Sequence, residues 1–357
     1  MVLEVKHSAE SLGESPKKVA HLADSSPKVP WFLRFSLVAI IKLILLMLGV
    51  SLIVFWLISL SPIDPVQANY GSVAVQNMSP QQRANLSAYW GQNIPIWERY
   101  ASWFTAFLQG DMGISLRYNA PVSQVIWTKF SNSVLLLATA WILSGVLGFT
   151  LGVIAGTKRN KITDRIITTV CYGLASTPTF WLGMLVLMLF AVWLGWFPSG
   201  FATPIGVSAA DVTIWDSLHH AILPAATLSV VSIANITLHT REKLVDVMDS
   251  DYFLYAKARG ESKWQAVRRH GLRNIVLPAL TLQFASVAEV FGGSILIEQV
   301  FSYPGLGQAT VTAGLGSDTA LLAGISVITA AVVFTGNTIA TLLYGVVDPR
   351  IRRGQRG

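Results

Sequence analysis

Charged residues are scarce in this chain. They make up 13% of its 357 residues, whereas hydrophobic residues make up 52%. A soluble domain usually carries about 25% charged residues, so the deficit indicates a protein whose outer surface faces lipid. The net charge of +7 does not indicate a nucleic-acid binder, because the basic residues lie between long apolar runs and do not cover one soluble face.

Two further features are nearly or wholly missing. The single cysteine, Cys171, lies in an apolar stretch, which excludes a disulfide framework or a thiolate metal site within one chain. A phosphate-binding loop of the form G-x-x-x-x-G-K-[ST] is absent, and the segment 152–158 lacks both its spacing and its Gly-Lys pair. We therefore predict a chain that binds no cofactor or metal and has no ATPase site of its own.

Long apolar runs, in contrast, are plentiful. Six of them reach the length of about 20 residues that a helix needs to cross a bilayer. They are residues 37–60, 134–156, 166–194, 221–240, 275–298 and 320–347. Because every backbone donor within hydrocarbon must be satisfied inside its own segment, these runs are predicted to be helical. The predicted fold is an all-α integral membrane protein with six transmembrane helices.

The orientation follows from the 26 lysines and arginines. With the amino terminus in the cytoplasm, all of them except Arg83, Arg99, Arg117 and Lys129 lie on the inner side or, for Lys42, near the inner end of the first helix. This asymmetry places both termini in the cytoplasm. The predicted organisation is a disordered cytoplasmic tail at 1–35, helix one at 36–60, a large extracytoplasmic segment at 61–133, a transmembrane core at 134–347 with an inner loop at 241–274, and a cytoplasmic tail at 348–357.

Two local patterns predict packing. Gly148, Gly152 and Gly156 form a small-xxx-small stripe, which allows close approach of another helix unless the spacing is chance in a glycine-rich span. The aromatic stretch 97–108 repeats at helical spacing. It fits either an amphipathic helix in the outer interface or the aromatic core of a small outer cap.

The inner loop 241–274 carries the most information. It reads as two helical pieces joined at Gly260, with Ser262 and Gln265 at capping-box spacing. A soluble motor protein that moves the transmembrane helices needs a stiff loop to bind, since a flexible loop would absorb the force. Trp264 is an aromatic side chain of the kind that often anchors a protein interface. A basic inner loop is also the ordinary result of the positive-inside rule, so this pattern alone leaves both interpretations open.

A family resemblance decides between these two interpretations. The stretch DYFLYAKARGESKWQAVRRHGLRNIVLPAL, residues 251–280, resembles the coupling loop of ABC importer permeases, in particular the first, B-type permease subunit of the dipeptide/oligopeptide/nickel family. Further ordered matches are the G-D-x-G-x-S segment at 110–115, T-D-R at 163–165, E-x-V-F-x-x-P-G-L-G at 298–307 and D-P-R at 348–350.

The resemblance implies a permease subunit that forms half of the path for peptides or a similar small solute. Its implied partners are a second homologous permease, two nucleotide-binding ATPase subunits that use ATP and Mg, an extracytoplasmic solute-binding protein and the lipid bilayer of the bacterial cytoplasmic (inner) membrane, with no nucleic acid. A permease for nickel or a metal-chelate is the first alternative, and an ion-coupled secondary transporter is the second. The latter requires ionisable residues in several spans, whereas only Glu289 lies deep in one.

Three groups of candidate residues follow. The coupling loop is assigned to Asp251, Tyr252, Tyr255, Ala256, Ala258, Gly260, Trp264 and Arg268, the outer gate loop to Pro304, Gly305, Leu306 and Gly307, and the solute path to Glu289, Glu298 and Asn235. Glu289 either contacts a cationic or amine-bearing solute or forms a structural hydrogen bond to another helix or to the partner permease. The adjacent His219 and His220 do not make a metal site without further ligands.

Overall fold

The computed structural model describes residues 31–208 and 210–347. Most of the predicted amino-terminal tail, the whole carboxyl-terminal tail and the D-P-R match at 348–350 lie outside the described residues. The chain divides into two compact units, residues 1–46 and 47–357. Within the described part, the first unit contributes the beginning of one long helix, and all packing discussed below belongs to the second.

Residues 31–121, the described part of the chain before α6, hold one long helix, four shorter ones and a small hairpin. These elements are α1 (Trp31–Leu60), α2 (Pro65–Tyr70), α3 (Ser72–Gln76), α4 (Pro80–Tyr89), α5 (Ile96–Leu108), β1 (Ile114–Ser115) and β2 (Ala120–Pro121). The two strands are antiparallel, with Ser115 opposite Ala120. The helix starts are set locally: the Asp64 carboxylate accepts from the Val66 amide, and Ser79 and Gln82 form a capping box.

The described residues after 121 are mostly helical. Their elements are α6 (Val122–Thr157), α7 (Ile162–Ala175), α8 (Thr179–Val186) with a π-helical continuation at Leu187–Trp193, α9 (Ile214–Met248), α10 (Asp251–Ala258), α11 (Lys263–Ala266) with a π-helical continuation at Val267–Gly271, α12 (Leu272–Ala285), α13 (Val287–Val300), α14 (Leu306–Leu315) and α15 (Thr319–Val347). Thr213 and Asp216 form a capping box at the start of α9.

Four helices of the described residues are each long and apolar enough to cross a membrane, and the number rises to six if two bent pairs each count as one span. The four are Ser36–Leu60 within α1, α6, α9, and Thr319–Ile339 within α15. The prediction of an all-α membrane protein is confirmed. Two helices extend past the predicted limits: α6 begins at Val122 and α9 covers Ile214–Met248, so each is longer than the roughly 20 residues needed to cross a bilayer.

The expectation of single helices over 166–194 and 275–298 is wrong in detail. The first run is α7 and α8 with its continuation, which meet at 108°, and the second is bent by 45° between α12 and α13. Pro178 explains the first break, since proline disfavours helical backbone at the residue before it and has no amide to donate. At the second break, the Ser286 hydroxyl donates to the Gln283 carbonyl, a local bond that competes with helical pairing.

The predicted glycine stripe on α6 is confirmed as a seam against α9. A Cβ atom on Gly152 would lie 2.6 Å from the Thr240 Cβ and 2.8 Å from the Thr237 carbonyl oxygen. A Cβ on Gly148 would meet the Ile236 Cβ at 2.8 Å. The Thr237 hydroxyl donates to the Gly148 carbonyl at 3.2 Å. The two helices therefore meet backbone to backbone, as the small-residue pattern requires.

Helix α5 has one buried aromatic face and one exposed face. Trp103 is buried and packs on Phe55 of α1, with ring centroids 5.4 Å apart, next to Ala323 and Val327 of α15. Trp97, in contrast, is 69% exposed. The helix thus lies against membrane-crossing helices through one aromatic face and keeps the other face free.

Candidate functional site

The elbow, which we define as residues 249–274, contains the break predicted from the sequence. Gly260 has a φ of +87°, a left-handed conformation that glycine adopts without steric cost, and a Cβ atom added to it would have no neighbour within 4 Å. Directly after it, the Ser262 hydroxyl accepts from the Gln265 amide and the Gln265 side chain accepts from the Ser262 amide. The predicted capping box is confirmed, and it fixes the start of α11.

The elbow is packed on the carboxyl-terminal ends of α6 and α9. Phe253 of α10 is 1% exposed and belongs to one buried cluster with Ala256, Val267, Leu244 of α9 and Val153 of α6. Ala256, predicted as part of the docking surface, is therefore internal packing. Phe253 was missed from the sequence, although its spacing of three residues from Ala256 indicates one buried helix face.

The opposite side of the elbow is exposed and aromatic. Tyr255 is 65% exposed, Trp264 is 58% exposed and Tyr252 is 46% exposed. The other predicted coupling residues on this side are also exposed, and they are Asp251, Ala258, Gly260 and Arg268. Exposed aromatic side chains on a stiff support are typical of protein interaction sites.

A hydrogen-bonded network holds the predicted outer gate loop. The Glu298 carboxylate, fully buried, accepts from the Ser133 hydroxyl at 2.8 Å and from the Gln308 amide at 3.0 Å. The Ser133 hydroxyl in turn accepts from the Leu306 amide at 2.7 Å. The loop 304–308 is thereby tied to α6 and to the end of α13.

The glycines of that loop are needed for this close approach. A Cβ on Gly305 would overlap both the Glu298 Cδ and the Ser133 Oγ, and a Cβ on Gly307 would lie 2.6 Å from the Ile295 Cα. The neighbouring Pro304 carbonyl accepts from the Asn132 side chain at 3.0 Å. The sequence signature at 298–307 is thus one structural unit in which the glycines make room for the carboxylate.

The three candidate path residues occupy different environments. Glu289 of α13 and Asn235 of α9 are exposed in the protomer, whereas Glu298 is buried with partners inside the chain. Along α13, Glu289 shares one exposed stripe with Gly292, Leu296 and Gln299, at spacings of three and four residues. A carboxylate and an amide on one face of a membrane helix indicate contact with water or protein and not with lipid.

A second buried carboxylate, Asp318, fixes the β1–β2 hairpin and was not identified from the sequence. It accepts from the Ser115 hydroxyl at 2.6 Å and from the Arg117 amide at 3.0 Å, and it caps the start of α15 through the Leu321 amide. The G-D-x-G-x-S segment therefore ends on this carboxylate. Its position after a glycine and a serine, just before an apolar run, is the signal of a helix start that could have pointed to it.

The side chains of His219 and His220 have structural partners. His220 Nδ1 lies 2.9 Å from the Gly200 carbonyl and His219 Nε2 lies 3.4 Å from the Trp196 carbonyl. Among the described residues, no group of three or more His, Cys, Asp or Glu side chains is placed to hold a metal ion.

Comparison with known proteins shows one matching family and several similar permease proteins. Residues 148–353 match the family described as the binding-protein-dependent transport system inner membrane component. The oligopeptide transport system permease protein AppB of Bacillus subtilis is 34% identical over 308 residues, which cover 86% of this chain and 95% of that protein. The dipeptide transport system permease protein DppB of Escherichia coli K12 is 32% identical over 323 residues, covering 85% and 94%. The di/tripeptide transport system permease protein DppB of Pseudomonas aeruginosa is 32% identical over 319 residues, with the same shares.

Proposed function

Since this chain belongs to the family of binding-protein-dependent transport system inner membrane components, as the motif resemblance predicted, we propose that it forms half of the translocation path of an ATP-driven peptide importer. The relatives described above are named for oligopeptides, dipeptides or di/tripeptides, which favours peptides over nickel as the solute. The family match also favours a binding-protein-dependent importer over an ion-coupled secondary transporter.

The proposed topology counts each bent pair as one span. This gives six spans in the bacterial inner membrane, with both termini in the cytoplasm and residues 61–133 outside. The elbow then lies on the inner side, as the concentration of lysine and arginine in 241–274 requires. The proposed partners are a second permease, two ATPase subunits and an extracytoplasmic binding protein that delivers the peptide.

The elbow carries this proposal. Its buried side is packed on the inner ends of α6 and α9, and its exposed side presents Tyr252, Tyr255 and Trp264. Because the support is stiff, a push on the aromatic side moves the long helices instead of deforming a loop. ATP-driven closure of two motor subunits would bring two such elbows together and reorient the path from outside to inside.

Reconstitution tests the proposal directly. The tagged chain, purified with its partners and placed in proteoliposomes, is expected to take up labelled di- and oligopeptides only with ATP inside and binding protein outside. Uptake without any nucleotide-hydrolysing partner would overturn it, and so would an externally labelled elbow in right-side-out vesicles.

The backbone turn at Gly260 gives the first variant to test. Gly260→Val forces a β-branched residue into the left-handed region at a cost of about 1–3 kcal/mol, so the elbow is expected to change shape. Gly206, with a φ of +82° and open space around it, lies in the outer segment before α9 and supplies a matched control, Gly206→Val. We expect peptide uptake and peptide-stimulated ATP hydrolysis to fall together in Gly260→Val and to persist in Gly206→Val. Wild-type values for both activities in Gly260→Val would show that the elbow is not the coupler.

Glu289 remains a candidate for solute contact. If its carboxylate binds the ammonium group of a peptide, Glu289→Gln removes a charge-assisted hydrogen bond, which is worth about 1.5–3 kcal/mol or more than tenfold in apparent affinity. The expected result is a raised KM for peptides with a free amino group and an unchanged KM for amino-acetylated peptides. Glu242→Gln, at an exposed carboxylate near the inner end of α9, is the control. If the KM of each peptide class is the same in Glu289→Gln as in the wild type, Glu289 has a structural role only.

A further inference from the structure

A partly buried ion pair joins α7 to α9, next to the short loop between α6 and α7. Arg241 of α9 approaches Asp164 of α7 with two nitrogens, Nε at 2.5 Å from Oδ1 and a terminal nitrogen at 2.8 Å from Oδ2. The Asp164 side chain is 3% exposed, and its carboxylate also accepts from the Asn160 amide at 2.9 Å. A two-point arginine–carboxylate contact fixes both distance and orientation between the two helices.

Two other contacts join the elbow to the end of α6 and to the loop that follows it. Arg159 forms an ion pair with Asp249, just beyond the end of α9, at 2.7 Å. The Lys263 ammonium of α11 donates to the Thr157 carbonyl. Both of these contacts are exposed, and exposed ion pairs contribute little to stability. The Asp164–Arg241 pair, in contrast, has a two-point contact and a buried carboxylate, so it fixes the position of α7 relative to α9.

The position of this pair matters because of how the chain is connected. The elbow continues directly into α9 on one side and α12 on the other, but it is not adjacent to α7 along the chain. Arg241 lies one helical turn before Leu244, which packs in the elbow cluster with Phe253. Asp164 lies in the first turn of α7, the helix that leads into the 108° bend. A displacement of the elbow therefore reaches α7 through Arg241 and Asp164.

We propose that Asp164 and Arg241 are a positioning pair that transmits movement of the elbow to α7 and the bent span, so that ATP hydrolysis is coupled to solute movement. This inference rests on the proposed function. The pair contacts neither solute nor nucleotide. It keeps α7 moving with α9, and without it the elbow moves α9 and α12 while α7 stays behind.

The test uses the assembled complex in proteoliposomes and measures peptide molecules imported per ATP hydrolysed. Asp164→Asn preserves side-chain shape and removes the charge, and Arg241→Lys keeps the charge and loses the two-point contact. Both variants are expected to retain ATP hydrolysis while the import ratio falls at least about fivefold, the lower end of usual coupling effects. Asp246→Asn removes an exposed pair with Lys243 on the same helix and is expected to leave the ratio unchanged.

The possible outcomes separate the two proposals. An import ratio equal to wild type in Asp164→Asn or Arg241→Lys overturns the positioning role, and so does a parallel loss of import and hydrolysis or the failure of both variants to assemble. If the wild-type complex itself imports no peptide with ATP, the proposed function fails before the pair is tested.

Discussion

Gly152→Val is expected to remove most of the folded protein from the membrane. A single Cβ at this position would overlap the Thr240 Cβ at 2.6 Å and the Thr237 carbonyl oxygen at 2.8 Å, and one of these atoms belongs to the backbone. The α6–α9 seam cannot accept valine unless the helices separate. Overpacking of this kind costs about 1–3 kcal/mol, occasionally more, and separation also breaks the Thr237–Gly148 hydrogen bond.

Gly49→Val is the matched control for this result. Gly49 lies in α1, also a membrane-crossing helix, and no atom lies within 4 Å of its Cβ position. The measurements are the amount of chain in the membrane fraction and the melting temperature of the purified complex. We expect both to fall for Gly152→Val and to stay close to wild type for Gly49→Val. Two variants of equal stability would mean that the seam is looser than these contacts indicate.

Glu298→Ala is expected to release the outer gate loop. The change leaves the Ser133 hydroxyl and the Gln308 amide without their carboxylate acceptor, and each buried donor left unpaired costs about 1–3 kcal/mol. The loop also loses the carboxylate against which the Gly305 backbone packs. We expect a lower melting temperature, faster proteolysis at the outer face and loss of binding-protein-dependent uptake.

The neighbouring residue provides the control for that experiment. Gln299 is exposed on the next position of α13, so Gln299→Ala changes a polar side chain on the same helix without removing an internal acceptor. It is expected to keep the wild-type melting temperature and protease resistance. If Glu298→Ala behaves like Gln299→Ala in these assays, the carboxylate does not hold the loop and a path-lining role becomes the better explanation.

The parts of the fold that the sequence predicted correctly are those governed by local rules. The apolar runs identify the membrane-crossing segments, the glycine stripe identifies the α6–α9 seam, and Ser262 with Gln265 identifies the start of α11. Each depends on spacing within a few turns of helix or on the length of one run. The break at Ser286 was not predictable in this way, because no proline marks it and serine also occurs within helices.

The candidate site shows the same division. Exposure of Tyr255 and Trp264 follows from their place on a basic loop between two apolar runs, whereas burial of Ala256 depends on a cluster that includes Val153, which is distant in sequence. The environment of Glu298 depends on Ser133, 165 residues earlier. The Asp164–Arg241 pair joins residues 77 positions apart. Contacts of this kind are set by the packing of several helices, and one sequence contains no local signal for them.

The glycine seam also has a mechanical consequence. At 1.5 Å per residue, the 36-residue α6 and the 35-residue α9 are each about 50 Å long, more than the thickness of the hydrocarbon core. Gly148, Gly152 and Gly156 bring the two backbones together, so the helices form one paired unit with the hairpin just before α6 and the elbow just after α9. A tilt of this unit at the elbow therefore moves the hairpin end as well, without any side chain along the glycine seam having to change rotamer.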